Sequence, residues 1–142
     1  MKTVALDSGD VWVGTAISDA LGMIARPYKT VPKEALSTFL IELFEQESIS
    51  TALVGYPKTM SGTESEQTIK AVQLKEELEQ QFPAIKWILW DERLTSRQAA
   101  ALKKGSIKTK EDKLQSHSIA AAFILESYLL ATQPIHEADS YF

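Results

Sequence analysis

Three stretches of the chain carry groups that could do chemistry. Asp7 follows the apolar run Val4-Ala5-Leu6 and precedes Gly9. That is the end of a strand, where open α/β sheets meet their ligands. It is equally the place of a turn carboxylate that caps backbone amides. Asp91-Glu92 closes a second apolar run, Ile85–Trp90. Side chains alternate along a strand, so these two carboxylates face opposite ways and only one converges on Asp7. In isolation the pair also reads as one acid paired with Arg93 and one solvated. Lys103, Lys104, Lys108, Lys110 and Lys113 gather around Gly105, diluted by Glu111 and Asp112, and Arg93 and Arg97 extend them into a basic patch. Clustered cations of this kind bind phosphates. A helix C-terminus followed by a solvated loop carries lysines in the same way.

The elements that would position these groups follow from hydrophobic periodicity. Residues 3–7 read as a buried strand. After the turn signal Ser8-Gly9-Asp10, residues 11–18 read as its hairpin partner, and Tyr28–Val31 as a short third strand. Leu36, Phe39, Leu40, Leu43 and Phe44 recur at helical spacing. Residues 51–56 form an apolar strand closed by Pro57, and residues 58–63 a polar loop. A charged helix runs from about Glu64 to Gln81, with Ile69, Val72, Leu74 and Leu78 as its apolar side. A strand over 85–90 leads into Asp91. Thr95 or Ser96 caps a helix that Gly105 stops. Thr109-Lys110-Glu111-Asp112 resembles a capping box for a last helix reaching about Leu130. Three strands followed by alternating helices and strands imply an α/β fold, with a mixed sheet and helices on both faces.

The chain has 142 residues, 44% hydrophobic and 24% charged, enough for one compact domain. Fifteen basic against nineteen acidic residues give a net charge of −4, so nucleic-acid contact must use a local patch. With no cysteine, disulfides, thiolate metal sites and cysteine nucleophiles are excluded. His117 and His136 are the only imidazoles. Val4–Leu6 is too short for a signal-peptide core, and no run approaches the roughly 18 apolar residues of a membrane span. The expectation is a soluble cytoplasmic domain over residues 1–134 with a polar tail over 135–142, and no membrane partner.

Four motifs then occur in order: Asp7-Ser8-Gly9 with Val13-Gly14, Val54-Gly55-Tyr56-Pro57 with Met60–Glu64, Asp91-Glu92-Arg93-Leu94-Thr95, and His117-Ser118-Ile119-Ala120-Ala121 with Ile124–Tyr128. Together they resemble the YqgF/RuvX family of Holliday-junction-resolvase-like proteins, also described as pre-16S rRNA nucleases. The resemblance spans about residues 3–130. It implies a ribonuclease H-like fold and a nuclease dependent on Mg²⁺ or Mn²⁺, in which carboxylates from different elements hold the metal. It implies Asp7 and Glu92 as metal ligands, with Asp91 as the neighbouring metal carboxylate, and Arg93 as a phosphate contact or carboxylate orienter. The partners it implies are pre-rRNA or structured DNA and ribosomal particles, with the protein a monomer or homodimer.

Two positions depart from the family's pattern. Where an aspartate usually precedes the Ser-Ile-Ala-Ala stretch stands His117. Helical spacing puts it on the face of Ala121, Ile124 and Tyr128. Its imidazole can bind Mn²⁺, act as a base, or hydrogen-bond to Asp7 or Glu92 as a core histidine. In the first hairpin Asp10-Val11-Trp12 replaces a hydroxyl residue and two basic ones. Asp10 is an extra metal carboxylate or a turn residue. Trp12, Trp87 and Trp90 are candidate base-stacking groups, with at least one of the latter two expected in the core. Four functions compete on these residues: an rRNA nuclease, a DNA junction resolvase, a catalytically weak RNA- or ribosome-binding module, and, ranked last, a nucleotide-binding domain of actin-like type.

Overall fold

The structure, a computed structural model, describes residues 1–56, 66–91 and 110–132. β1 (Lys2–Ser8), β2 (Trp12–Ser18) and β3 (Ala25–Pro32) form an antiparallel meander. β4 (Ile49–Tyr56) and β5 (Lys86–Asp91) extend the sheet in parallel beyond β1, giving the order β3-β2-β1-β4-β5. A 3₁₀ turn, Lys33–Ala35, leads into α1 (Leu36–Gln46). α2 (Glu66–Gln81) precedes β5, and α3 (Lys110–Thr132) closes the described chain. Three antiparallel strands followed by parallel ones match the mixed sheet expected from the sequence. The third strand is longer than Tyr28–Val31 because pairing with β2 continues past Pro27 to Ala25. The loop expected over 58–63, the helix ending at Gly105 and the tail over 135–142 lie outside the described residues.

Alternation along the strands sorts the core into two layers. Val4, Leu6, Val13, Ile17, Ala52, Val54 and Trp87 point to one face, where α1 and α2 cover them. Ala5, Ala16 and Leu53 point to the other, where α3 packs with Ala121, Ile124, Leu125 and Leu129. β1 and β4 are therefore buried on both sides, which explains their near-continuous apolar runs. The α3 face of β1 and β2 is built from small residues, Ala5, Gly14 and Ala16, so a helix can lie close against it. At the β2–β3 bulge, the buried Thr15 hydroxyl accepts from the Lys29 amide at 3.0 Å and donates to the Lys29 carbonyl at 2.6 Å. The side chain thereby replaces a missing rung of the ladder.

The buried face of α2 differs from the expected one. Thr68, Ala71, Leu74 and Leu78 face the sheet, and Ile69 is exposed. At 100° per residue, Ala71, Leu74 and Leu78 share one stripe, and Ile69 falls on the far side of it. Leu74 and Leu78 belong to the contact as expected, and small Thr68 and Ala71 complete it where the larger Ile69 does not. No helix among the described residues is long and apolar enough to cross a membrane.

Candidate active site

The ends of the parallel strands β1, β4 and β5 lie at one edge of the sheet, and Asp7 stands there on β1. It shares a face with Ala5, two residues earlier, and so lies on the α3 side. Across the hairpin its register partner is Gly14. α3 passes directly over this pair. A β-carbon on Gly14 would collide with the backbone of His117 and Ser118, and one on Gly9 would lie 3.8 Å from the His117 imidazole carbon Cε1. His117 is thus brought over the hairpin beside Asp7, as its spacing from Ala121 and Ile124 predicts. Both residues are half-buried. Among the described residues, the Asp7 carboxylate has no hydrogen-bond or ion-pair partner.

Asp91 stands elsewhere. It pairs in register with Tyr56 and follows Leu89, which packs with Trp87 on the α1/α2 face. Strand alternation therefore places Asp91 opposite the face that carries Asp7. Glu92, Arg93, Arg97, Lys103, Lys104 and Lys108 lie outside the described residues, and Lys110 is the first residue of α3.

Asp10 is a turn residue tied to α2. Its Oδ1 accepts a hydrogen bond from Gln67 Nε2 at 3.1 Å and one from Lys70 Nζ at 3.2 Å. The Gln67 amide and then the Lys70 ammonium hold its carboxyl below the usual carboxylate range. Two of the three tryptophans are also accounted for structurally. Trp87 is buried in a ring cluster with Phe44 and Phe82, and its Nε1 donates to the Phe82 carbonyl at 3.1 Å. Trp90 meets Tyr128 edge-to-face and donates to Ser127 at 3.2 Å, fastening β5 to α3.

Asp7 and His117 together fit a divalent cation in donor chemistry. A half-buried carboxylate with no partner among the described residues favours a cation, and an oxygen donor beside an imidazole suits Mn²⁺ better than Mg²⁺. Among the described residues no three of His, Cys, Asp or Glu gather into a metal site. Asp7 and His117 are both candidates from the sequence, and α3 brings them to the same hairpin. The part played by Gly14, whose missing side chain lets α3 set His117 in place, is not expected from the sequence. The only available signal was a glycine inside a strand, which marks a close backbone approach.

A mixed sheet of this strand order with an acidic β1 terminus is a ribonuclease H-like fold. RuvC of T. thermophilus, solved in complex with Holliday junction substrate, matches it with a TM-score of 0.53 and 15% identity over 92% of this chain and 95% of that one. The profile of the RuvX family, described as Holliday junction resolvase, matches residues 1–131, and the chain belongs to that family. Relatives from Acetivibrio thermocellus and Shouchella clausii, each named "Putative pre-16S rRNA nuclease", are 36% and 35% identical. The alignments cover 91% of this chain and 95% and 94% of those relatives.

Proposed function

We propose that residues 1–134 form a metal-dependent endonuclease domain that hydrolyses phosphodiester bonds in structured nucleic acid, and that its task is 5′-end processing of pre-16S rRNA in the bacterial cytoplasm. The observation that carries this reading is Asp7, a carboxylate with no partner among the described residues, beside His117 at the parallel-strand ends of a RuvX-family chain. The names of the relatives supply the substrate.

Asp7 and Glu92 are assigned the divalent ion, Mg²⁺ or Mn²⁺. When bound, it activates water and neutralises charge on the leaving oxygen. Glu92 is preferred to its neighbour because Asp91 lies with Leu89 on the opposite face. His117 serves as a nitrogen donor or holds a proton beside Asp7. Arg93 contacts the phosphate, and Arg97, Lys103, Lys104, Lys108 and Lys110 attract the strand electrostatically.

The test is cleavage of a labelled precursor-rRNA 5′ leader in Mg²⁺, Mn²⁺ or EDTA. Metal-dependent cutting that disappears in Asp7→Asn supports the nuclease. Retained RNA binding without cutting, by both the native protein and Asp7→Asn, points to a binding module. Junction resolution is the second reading, favoured by the description of the family. It requires selective cutting of four-way DNA over linear duplex.

A further inference from the structure

Among the described residues, Trp12 is the one tryptophan that the packing leaves unexplained. Trp87 and Trp90 each have ring partners and a hydrogen bond for the indole N–H. Trp12 is half-buried, and among the described residues its side chain has no ring partner and no hydrogen bond. A tryptophan that is part of a core normally satisfies its N–H.

Its position links it to the site. Trp12 lies two residues before Gly14 on β2, and Gly14 is the register partner of Asp7. Asp7 and Trp12 are therefore diagonal neighbours on the α3 face, with Cα atoms about 7–8 Å apart, a span that aromatic side chains bridge. The backbone beneath the indole is pinned from several directions. The Gly9 amide donates to the Trp12 carbonyl at 2.8 Å, and the Lys33 amide donates to the Val11 carbonyl at 2.9 Å. Asp10 is fastened to Gln67 and Lys70 of α2. An aromatic plane held on a rigid hairpin loses little freedom when it binds.

We infer that Trp12 is a stacking platform for the base of an unpaired nucleotide next to the phosphate at Asp7, so that the site selects single-stranded segments over continuous duplex. The inference rests on the nuclease reading for the identity of the ligand. A base presents a π-face only where it leaves its helix, and stacking on an aromatic residue tolerates any sequence. The hairpin then contributes recognition through an aromatic face, in place of the two basic residues that the family's pattern has there.

The test measures binding in EDTA, where no cleavage is needed, with two probes: a fluorescein-labelled single-stranded RNA of the precursor leader and the same sequence fully paired. Trp12→Ala is expected to bind the single strand about tenfold or more weakly and the duplex unchanged. Trp12→Phe keeps most of the affinity but loses the quenching of tryptophan emission that the single strand produces in the native protein. Equal losses on both probes, native affinity in Trp12→Ala, or unchanged quenching in Trp12→Phe overturns the inference. If Trp12→Ala fails to fold by circular dichroism, the quenching in Trp12→Phe decides. The two readings fail separately. A Trp12 effect on binding in a protein that never cuts sinks the nuclease and leaves the platform, whereas normal cutting and binding by Trp12→Ala does the reverse.

Discussion

The backbone of His117 lies so close above Gly14 that no β-carbon fits between α3 and the sheet. Because the obstructing atoms are backbone, no side-chain rotation relieves the contact. Gly14→Ala must lift α3 at the point where it carries His117 over Asp7. Overpacking of this kind costs about 1–3 kcal/mol, measurable as a lower denaturant midpoint. Cleavage should fall more than stability does, since His117 moves with the helix. Full activity at native stability would show that α3 is not positioned through this contact.

His117→Asp restores a carboxylate to the site and exchanges a neutral donor for a charged one. Mg²⁺ binding should tighten by roughly tenfold, because affinity for hard cations follows the charge of the oxygen ligands. The advantage of Mn²⁺ over Mg²⁺ should shrink in the same variant. Titrating cleavage rate against each metal measures both. An unchanged Mg²⁺ dependence would remove His117 from the metal's surroundings and leave it as a packing residue.

The link from Asp10 to α2 gives stability a pH dependence with a defined sign. Asp10 is depressed below 3.8, first by the Gln67 hydrogen bond and then by Lys70, while Lys70 is raised above 10.5 by Asp10. The Asp10 contribution is therefore present above pH 3.8 and lost as pH falls through its lower folded value. The Lys70 contribution is present below pH 10.5 and lost as pH rises through its higher folded value. Both groups are exposed, so the effect is modest and salt weakens it. Urea midpoints of the native protein and Asp10→Asn should differ at pH 7 and converge below pH 3.8. A gap that persists into acid would assign the difference to something other than this ion pair.

The succession of strands and helices and the place of Asp7 at a strand end are legible in the sequence because β1, β4 and β5 are short apolar runs ending on polar residues, a local pattern. The inward turn of His117 was legible from its spacing to Ala121 and Ile124. On α2 the burial of Leu74 and Leu78 is legible, and that of Thr68 and Ala71 is not, because these two owe it to the shape of the sheet beneath them rather than to their own hydrophobicity. The sequence leaves Asp10 as either ligand or turn because its partners, Gln67 and Lys70, are distant in sequence and are met only through the fold. Alternation requires Asp91 and Glu92 to diverge, but it does not say which face Asp91 takes. The register of β5 on β4 does, and it puts Asp91 with Leu89 on the α1/α2 face.

Thr30 offers a way to disturb His117 without touching it. The Thr30 hydroxyl donates to the Leu114 carbonyl at 2.5 Å, tying edge strand β3 to α3 one turn before His117. Thr30 also pairs in register with Gly14, so the tether and the close approach act on the same stretch of helix. Thr30→Val keeps the shape and removes the donor, which should lower stability by about 1 kcal/mol. Freed at that point, α3 holds His117 less firmly, and kcat should fall while KM for RNA stays near its native value. Thr30→Ser keeps the hydroxyl and should recover most of kcat. If the valine variant instead raises KM alone, the β3 edge contacts the nucleic acid directly and the tether does not position His117.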